Sequence, residues 1–245
     1  MNILKRLTSI FKKEILPLPL PLGLRTMPPK YKIALIVPCY ERPERTLRAI
    51  QNVLEQDLNG WECYFAGDNC PFIQSMVDSG EVHKYIDIAK NKGNKLAIFN
   101  LPIHYGGWGY QCRNLCVKLC SAEYVMYMDN DDTIEKNHFS SYYNEIVNTE
   151  LDFVYFNTWI DPIENANSKK GRLRDSKLEH GSIGHQEIIV KSSVLKQMPL
   201  EKEFYGHDWK LIETMLDWGA TFKKSTNQPT YNIMRVGELI ENNIN

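Results

Sequence analysis

Apolar residues along the chain fall into short uninterrupted runs separated by stretches of helical period. Residues 33–37 (Ile-Ala-Leu-Ile-Val) form the first run, the pattern of a strand covered on both faces. Pro43 suits the first turn of a helix that carries Leu47, Ile50, Val53 and Leu54 inward. Residues 61–66 predict a second strand, a helical stretch runs to about Ala89, and residues 95–101 predict a third strand. Residues 110–120 read as a helix, and 124–128 as a fourth strand that ends in a burst of acids. This β-α-β-α order predicts an α/β fold with a mixed, mostly parallel sheet flanked by helices.

The second half is less regular. Residues 151–158 read as a strand, 161–175 as a polar loop, and 186–190 as another short strand. A helix over 207–218 and a last strand over 230–234 follow. The pattern divides the main domain, 30–245, into a nucleotide-binding-type half (30–132) and a half that adds specificity (133–245). Ahead of it, Ile3, Leu4, Leu7, Ile10, Phe11 and Ile15 recur at helical spacing, with Lys5, Arg6, Lys12 and Lys13 mostly on the other side. Residues 1–16 therefore read either as an interfacial helix drawn to anionic lipid or as a helix packed on protein. The Leu-Pro repeats up to residue 29 cannot continue a helix and predict an extended linker.

Composition narrows the picture. The 245 residues are 43% hydrophobic and 24% charged, enough apolar surface for one substantial core. With 29 basic and 30 acidic residues the formal charge is −1, which argues against a general nucleic-acid binder. No apolar run approaches the roughly 20 residues that span a bilayer, and the N-terminus lacks a signal-peptide pattern. A cytoplasmic protein is expected, at the inner face of a membrane if residues 1–16 meet lipid. The six cysteines include three at four-residue spacing, Cys112, Cys116 and Cys120, and no CxxC pair, so packed thiols are expected rather than a metal site or disulfide frame.

Candidate chemistry begins at Asp129-Asn130-Asp131-Asp132, directly after the fourth strand. Ligands of open α/β sheets bind at the carboxyl ends of strands, and three carboxylates there repel one another unless a cation joins them. Mg²⁺ or Mn²⁺, completed by substrate phosphates, meets that demand; a solvated acidic turn capping the next helix is the alternative. Asp68, after the second strand, is placed either to accept hydrogen bonds from a ligand or to close an Asx-turn before Pro71. Trp108, in Gly106-Gly107-Trp108-Gly109, reads as a stacking platform or a core tryptophan. His180 and His185 frame a glycine-rich stretch better suited to a mobile acceptor loop than to a metal pair.

The segment Ile33-Ala34-Leu35-Ile36-Val37-Pro38-Cys39-Tyr40-Glu41-Arg42-Pro43 resembles the opening of family 2 glycosyltransferases, where an apolar strand ends in Pro-x-Tyr-Asn-Arg. Leu47-Arg48-Ala49-Ile50 through Gln56 resembles the helix after it, and Gly109 through Arg113-Asn114 the family's Gly…Ala-Arg-Asn helix. Tyr127-Met128-Asp129-Asn130-Asp131-Asp132 is similar to its Leu-Asp-x-Asp-Asp segment, and Gly206-His207-Asp208-Trp209-Lys210-Leu211 to its Gly-Glu-Asp-Trp-x-Leu helix start. The motifs stand in the family's order over roughly 30–235.

The resemblance implies the GT-A fold and an inverting transfer of sugar from a nucleoside-diphosphate sugar, a UDP-sugar favoured, to an acceptor hydroxyl on a glycan, lipid-linked or protein acceptor in polysaccharide or glycoconjugate synthesis. It places Pro38, Tyr40, Glu41, Asp68, Arg113, Asp129 and Asn130 at the nucleotide sugar, Asp131 at a Mn²⁺ or Mg²⁺ ion, and Asp208 as the general base. The chain departs from the pattern at Gly67-Asp68-Asn69-Cys70, at Glu41, and at His207, where the family carries Glu; His207 either tunes Asp208 or sits at the surface. A sugar-nucleotide pyrophosphorylase would need a glycine-rich first loop, which Pro38-Cys39-Tyr40-Glu41-Arg42 is not. A catalytically silent nucleotide-sugar-binding module is disfavoured by the intact Asp129, Asp131 and Asp208.

Overall fold

The computed structural model describes residues 29–160, 171–200 and 206–234. The predicted helix of residues 1–16, most of the Pro-rich linker and residues 161–170 of the predicted polar loop lie outside the described residues. The first half runs β1 (Tyr31–Cys39), α1 (Pro43–Leu54), β2 (Trp61–Gly67), α2 (Pro71–Asp78), α3 (Val82–Asn91), β3 (Lys95–Asn100), α4 (Tyr110–Leu119) and β4 (Ala122–Tyr127). The second runs β5 (Thr133–Ile134), α5 (His138–Ile146), β6 (Phe153–Tyr155), β7 (Thr158–Ile160), β8 (Arg172–Arg174), β9 (Ile188–Lys191), α6 (Ser192–Leu195), α7 (His207–Asp217), β10 (Phe222–Lys224) and β11 (Tyr231–Ile233).

A seven-stranded sheet in the order β10-β6-β9-β4-β1-β2-β3 forms the centre. It is mixed: β1 pairs in parallel with β2 and β4, whereas β9 is antiparallel to both β4 and β6. The uninterrupted run in β1 is explained by cover on both faces. Ile33, Leu35 and Val37 join a core layer with α1 and α5, and Ala34 and Ile36 join a second layer with α4 and α7. All six cysteines are buried free thiols, and Cys112, Cys116 and Cys120 pack in that second layer, as their spacing predicts. Burial pushes the Cys112 thiol up to about 12 and Cys120 to about 11.

Three predicted elements are redrawn. The helical stretch before Ala89 breaks at Gly80, whose φ of 77° suits glycine, into α2 and α3. The strand expected over 151–158 splits: β6 stays in the large sheet, while β7 joins a four-stranded sheet ordered β5-β11-β7-β8. Between them Phe156 turns into the core and stacks on Tyr142, with centroids 3.8 Å apart. The strand expected from Gln186 begins at Ile188, after a 3₁₀ turn over His185–Glu187.

Candidate active site

β1 and β2 end level, with Cys39 opposite Gly67, and β4 stops three residues short of them, with its last residue Tyr127 opposite Ile36. From β1 the chain builds outward through β2 and β3, then returns to β4 on the other side of β1. That reversal opens a crevice at the strands' carboxyl ends, where α/β sheets bind ligands. The cavity there has a volume of about 930 Å³ and is lined by Pro38, Tyr40, Glu41, Asp68, Arg113, Asp129, Asn130, Asp131 and Asp208, among others. The nine residues that the resemblance places at the nucleotide sugar, the ion and the base thus line one cleft.

Asp68 is buried, and it closes no Asx-turn. Its Oδ1 accepts the Tyr105 N–H at 2.9 Å and its Oδ2 the Gly106 N–H at 2.8 Å, so it clamps the loop ahead of α4. The His104 ring lies 3.1 Å from Oδ2 and stacks on Tyr40 with centroids 4.4 Å apart. Gly106, Gly107, Trp108 and Gly109 all have positive φ, which curls the loop over the end of β1. A Cβ on Gly109 would lie 2.4 Å from Pro38 Cβ, so only glycine lets the loop pass there. Trp108 is 65% exposed on the cleft wall and is no core tryptophan. Arg113 Nη1 donates to the Trp108 carbonyl at 2.8 Å and fixes the loop from α4.

The acidic turn is more divided than its sequence suggests. Asp132 is buried, accepting the Tyr231 hydroxyl at 2.7 Å and the Met234 N–H at 2.8 Å, so it ties the turn to β11; the strand β5, not a helix, follows it. Asn130 Nδ2 donates to Thr46 Oγ1 at 2.8 Å, anchoring the turn to α1. Asp131 Oδ2 accepts from Arg42, with Arg45 Nη1 at 3.5 Å, and Arg48 Nη2 reaches the Asp131 carbonyl at 2.6 Å. Asp129 is exposed to the cleft. Desolvation raises its pKa first and the neighbouring Asp131 charge second, with Arg113 opposing.

Asp208 opens α7 behind Gly206, whose φ is 85°. The helix is anchored by Leu211, Ile212 and Met215, all buried. Asp208 Oδ1 meets His185 Nδ1 at 2.5 Å. His185 is itself buried, with its ring edge-on to Tyr127 at 5.1 Å. The expected mobile loop therefore has a fixed end: Gly184 N–H donates to Glu187 at 2.6 Å, and a buried histidine follows it. His180 lines the cleft wall separately, and among the described residues no group of three or more Asp, Glu, His or Cys is arranged to hold a metal ion. The side chain of His207 lies outside the described set.

Residues 34–208 match the sequence profile described as glycosyl transferase family 2, a span that runs from the second half of β1 to the aspartate of α7. The chain belongs to glycosyl transferase family 2. Within the family it is 22% identical to the glycosyltransferase GlyG of Streptococcus pneumoniae serotype 4 over 125 residues, 51% of this chain and 38% of GlyG. The fold resembles S. aureus TarS 1–349 in complex with UDP-GlcNAc, with a TM-score of 0.63 and 19% identity over 83% of this chain and 58% of that one. It also resembles the mannosyltransferase PcManGT from Pyrobaculum calidifontis in complex with GDP-Man and Mn²⁺, with a TM-score of 0.57 and 15% identity over 95% of this chain and 63% of that one. The chain thus spans less than two thirds of the length of each of these relatives.

For this family 2 chain, sequence reasoning missed three groups that shape the cleft. His185 is one; its place in a glycine-rich stretch drew attention to mobility instead of to a partner. Arg42, at the N-cap of α1, and Arg45 and Arg48 within it are another, and the three-residue spacing of the latter two could have shown a common face. His104 carries no local signal, because its partners Tyr40 and Asp68 are far away in sequence.

Proposed function

We propose that the protein transfers a sugar from a nucleoside-diphosphate sugar, a uridine nucleotide favoured, to an acceptor hydroxyl with inversion at the anomeric carbon. The observation that carries this reading is that Asp208 and the acidic turn face one cleft with Asp68 between β2 and the glycine loop. Neighbours in fold with UDP-GlcNAc and with GDP-Man bound support the donor class. Tyr40 and His104 offer the base a stacked aromatic edge, and Arg113 offers charge to the diphosphate. Asp208 takes the proton from the acceptor hydroxyl as its oxygen bonds to C1. The C1–phosphate bond breaks on the opposite face, and its electron pair leaves with the nucleoside diphosphate.

The donor set suits a hard divalent cation. Asp129 and Asp131 bring oxygen ligands of like charge to one turn, a repulsion that a cation relieves. Asp131, with Asp129 beside it, would hold Mn²⁺ or Mg²⁺, which supplies charge neutralisation at the departing diphosphate. Arg42 and Arg45 already offer Asp131 positive charge, so the protein itself provides part of that balance. Thermal shifts of the full chain with UDP, GDP, UDP-sugars and GDP-mannose, with and without Mn²⁺, test the reading. A rise with one nucleotide sugar and release of its nucleoside diphosphate are expected; no shift and no release with any of them would overturn it.

A further inference from the structure

His185 and Asp208 belong to elements with no local connection. His185 opens the 3₁₀ turn ahead of β9, and Asp208 stands in the first turn of α7. Their side chains nevertheless meet at 2.5 Å between Nδ1 and Oδ1, with the imidazole 6% and the carboxylate 37% exposed.

The imidazole is mounted on a rigid base. Two residues further on, the carboxylate of Glu187 accepts the Gly184 N–H at 2.6 Å, the Ser176 hydroxyl at 2.7 Å and the Thr158 hydroxyl at 3.1 Å. It also pairs with Arg174 Nε at 3.1 Å. Behind these residues Ile188, Ile189 and Val190 are fully buried in the central sheet, and Tyr127 flanks the ring from β4. The carboxylate it touches opens onto the cleft where the acceptor must arrive.

We propose that His185 is the positioning residue for Asp208. An ionised carboxylate only accepts, so the shared proton belongs to His185 Nδ1, and the ring donates it to Oδ1. That bond holds Asp208 in one rotamer at the cleft wall. It matters because a general base acts over about 2.6–3.2 Å, and a displacement near 1 Å costs on the order of a hundredfold in rate. The inference rests on the reading of Asp208 as the base, and the test separates the two.

The full chain is assayed with Mn²⁺ and whichever of UDP-glucose, UDP-N-acetylglucosamine and GDP-mannose it hydrolyses fastest, by nucleoside-diphosphate release. His185→Phe keeps an aromatic ring against Tyr127 but donates nothing. Its kcat should fall about ten- to a hundredfold with KM for the donor within twofold, and His185→Asn, which restores an N–H near the Nδ1 position, should recover most of the loss. Adding His185→Phe to Asp208→Asn should change nothing further, because the group it positions is gone. Wild-type kcat in His185→Phe beside a crippled Asp208→Asn would overturn the positioning role alone, as would additive losses in the double variant. Wild-type kcat in Asp208→Asn would overturn the base itself. A reading independent of substrate and of the folding of His185→Phe is the downfield imidazole N–H proton resonance of the wild-type protein. It should move in Asp208→Asn, and an unmoved or absent resonance would overturn the contact.

Discussion

Replacing Asp68 by alanine strips an acceptor from two backbone donors at once, the N–H groups of Tyr105 and Gly106. A fully buried group left unpaired costs about 1–3 kcal/mol; these two donors are only part-buried and water can reach them, so Asp68→Ala should lower stability by about 1–3 kcal/mol in all and loosen the glycine loop. Uridine nucleotide affinity should fall by about 1–3 kcal/mol with it, read by calorimetry. A variant with unchanged denaturation midpoint and unchanged affinity would remove Asp68 from both roles. His138 gives a second prediction at this scale. It is fully buried among Tyr142, Phe156 and Tyr231, with Nδ1 2.8 Å from Thr230 Oγ1, and burial lowers its pKa to about 3. An unfolded histidine titrates near about 6.5, so between those values the unfolded chain binds the extra proton. This contribution is complete above about pH 6.5 and is lost toward pH 3 at about 1.4 kcal/mol per pH unit. His138→Phe should therefore show a shallower fall in stability between pH 6.5 and 4 than wild type, by urea denaturation; parallel curves would contradict the assignment. Asp68 could be singled out in the sequence because it follows a strand, and Asp208 because Gly206-His207-Asp208-Trp209 resembles the family's helix start. Their partners could not, since the Asp68–Gly106 and His185–Asp208 contacts depend on how distant segments pack.

Elements were legible where burial is two-sided or the period is long. β1, β2 and β4 announced themselves as uninterrupted apolar runs, and α1, α4 and α7 as helical spacing with buried faces. Of the short strands, β9 and β11 were legible from their apolar residues, whereas β5, β8 and β10 were not. β10 is Phe-Lys-Lys, a strand only because it pairs in parallel with β6 at the sheet edge. β5 has two residues and exists through its pairing with β11. The loop before α4 is the element whose conformation most depends on residue type. Gly109→Ala would put a Cβ 2.4 Å from Pro38 Cβ at a φ of 78°, so the loop must lift off the end of β1. A lower melting temperature and at least about tenfold weaker nucleotide binding are expected, because Arg113 and Asp68 both hold this loop. Wild-type melting and affinity in Gly109→Ala would show that the loop tolerates displacement. Trp108→Ala, at an exposed position, should by contrast leave the melting temperature within a degree or two.

At the scale of the whole molecule, the sheet places the acid-bearing ends of three strands side by side, and the small second sheet closes behind the acidic turn through Tyr231 and Asp132. The two halves read from sequence are therefore stitched together at the site itself. Among the described residues no helix is long and apolar enough to cross a membrane. If residues 1–16 form a lipid-facing helix, as their pattern suggests, a chain beginning at Lys30 should keep donor hydrolysis but stop sedimenting with anionic vesicles. Equal sedimentation of both chains would favour the packed alternative.

Whether Asp208 is the base of a nucleotide-sugar transferase is decided by one paired measurement. Asp208→Asn preserves shape and helix position but takes no proton. Its affinity for the Mn²⁺–nucleoside diphosphate should stay within about twofold of wild type while turnover falls at least about 10²-fold. Wild-type turnover at unchanged affinity would contradict the account.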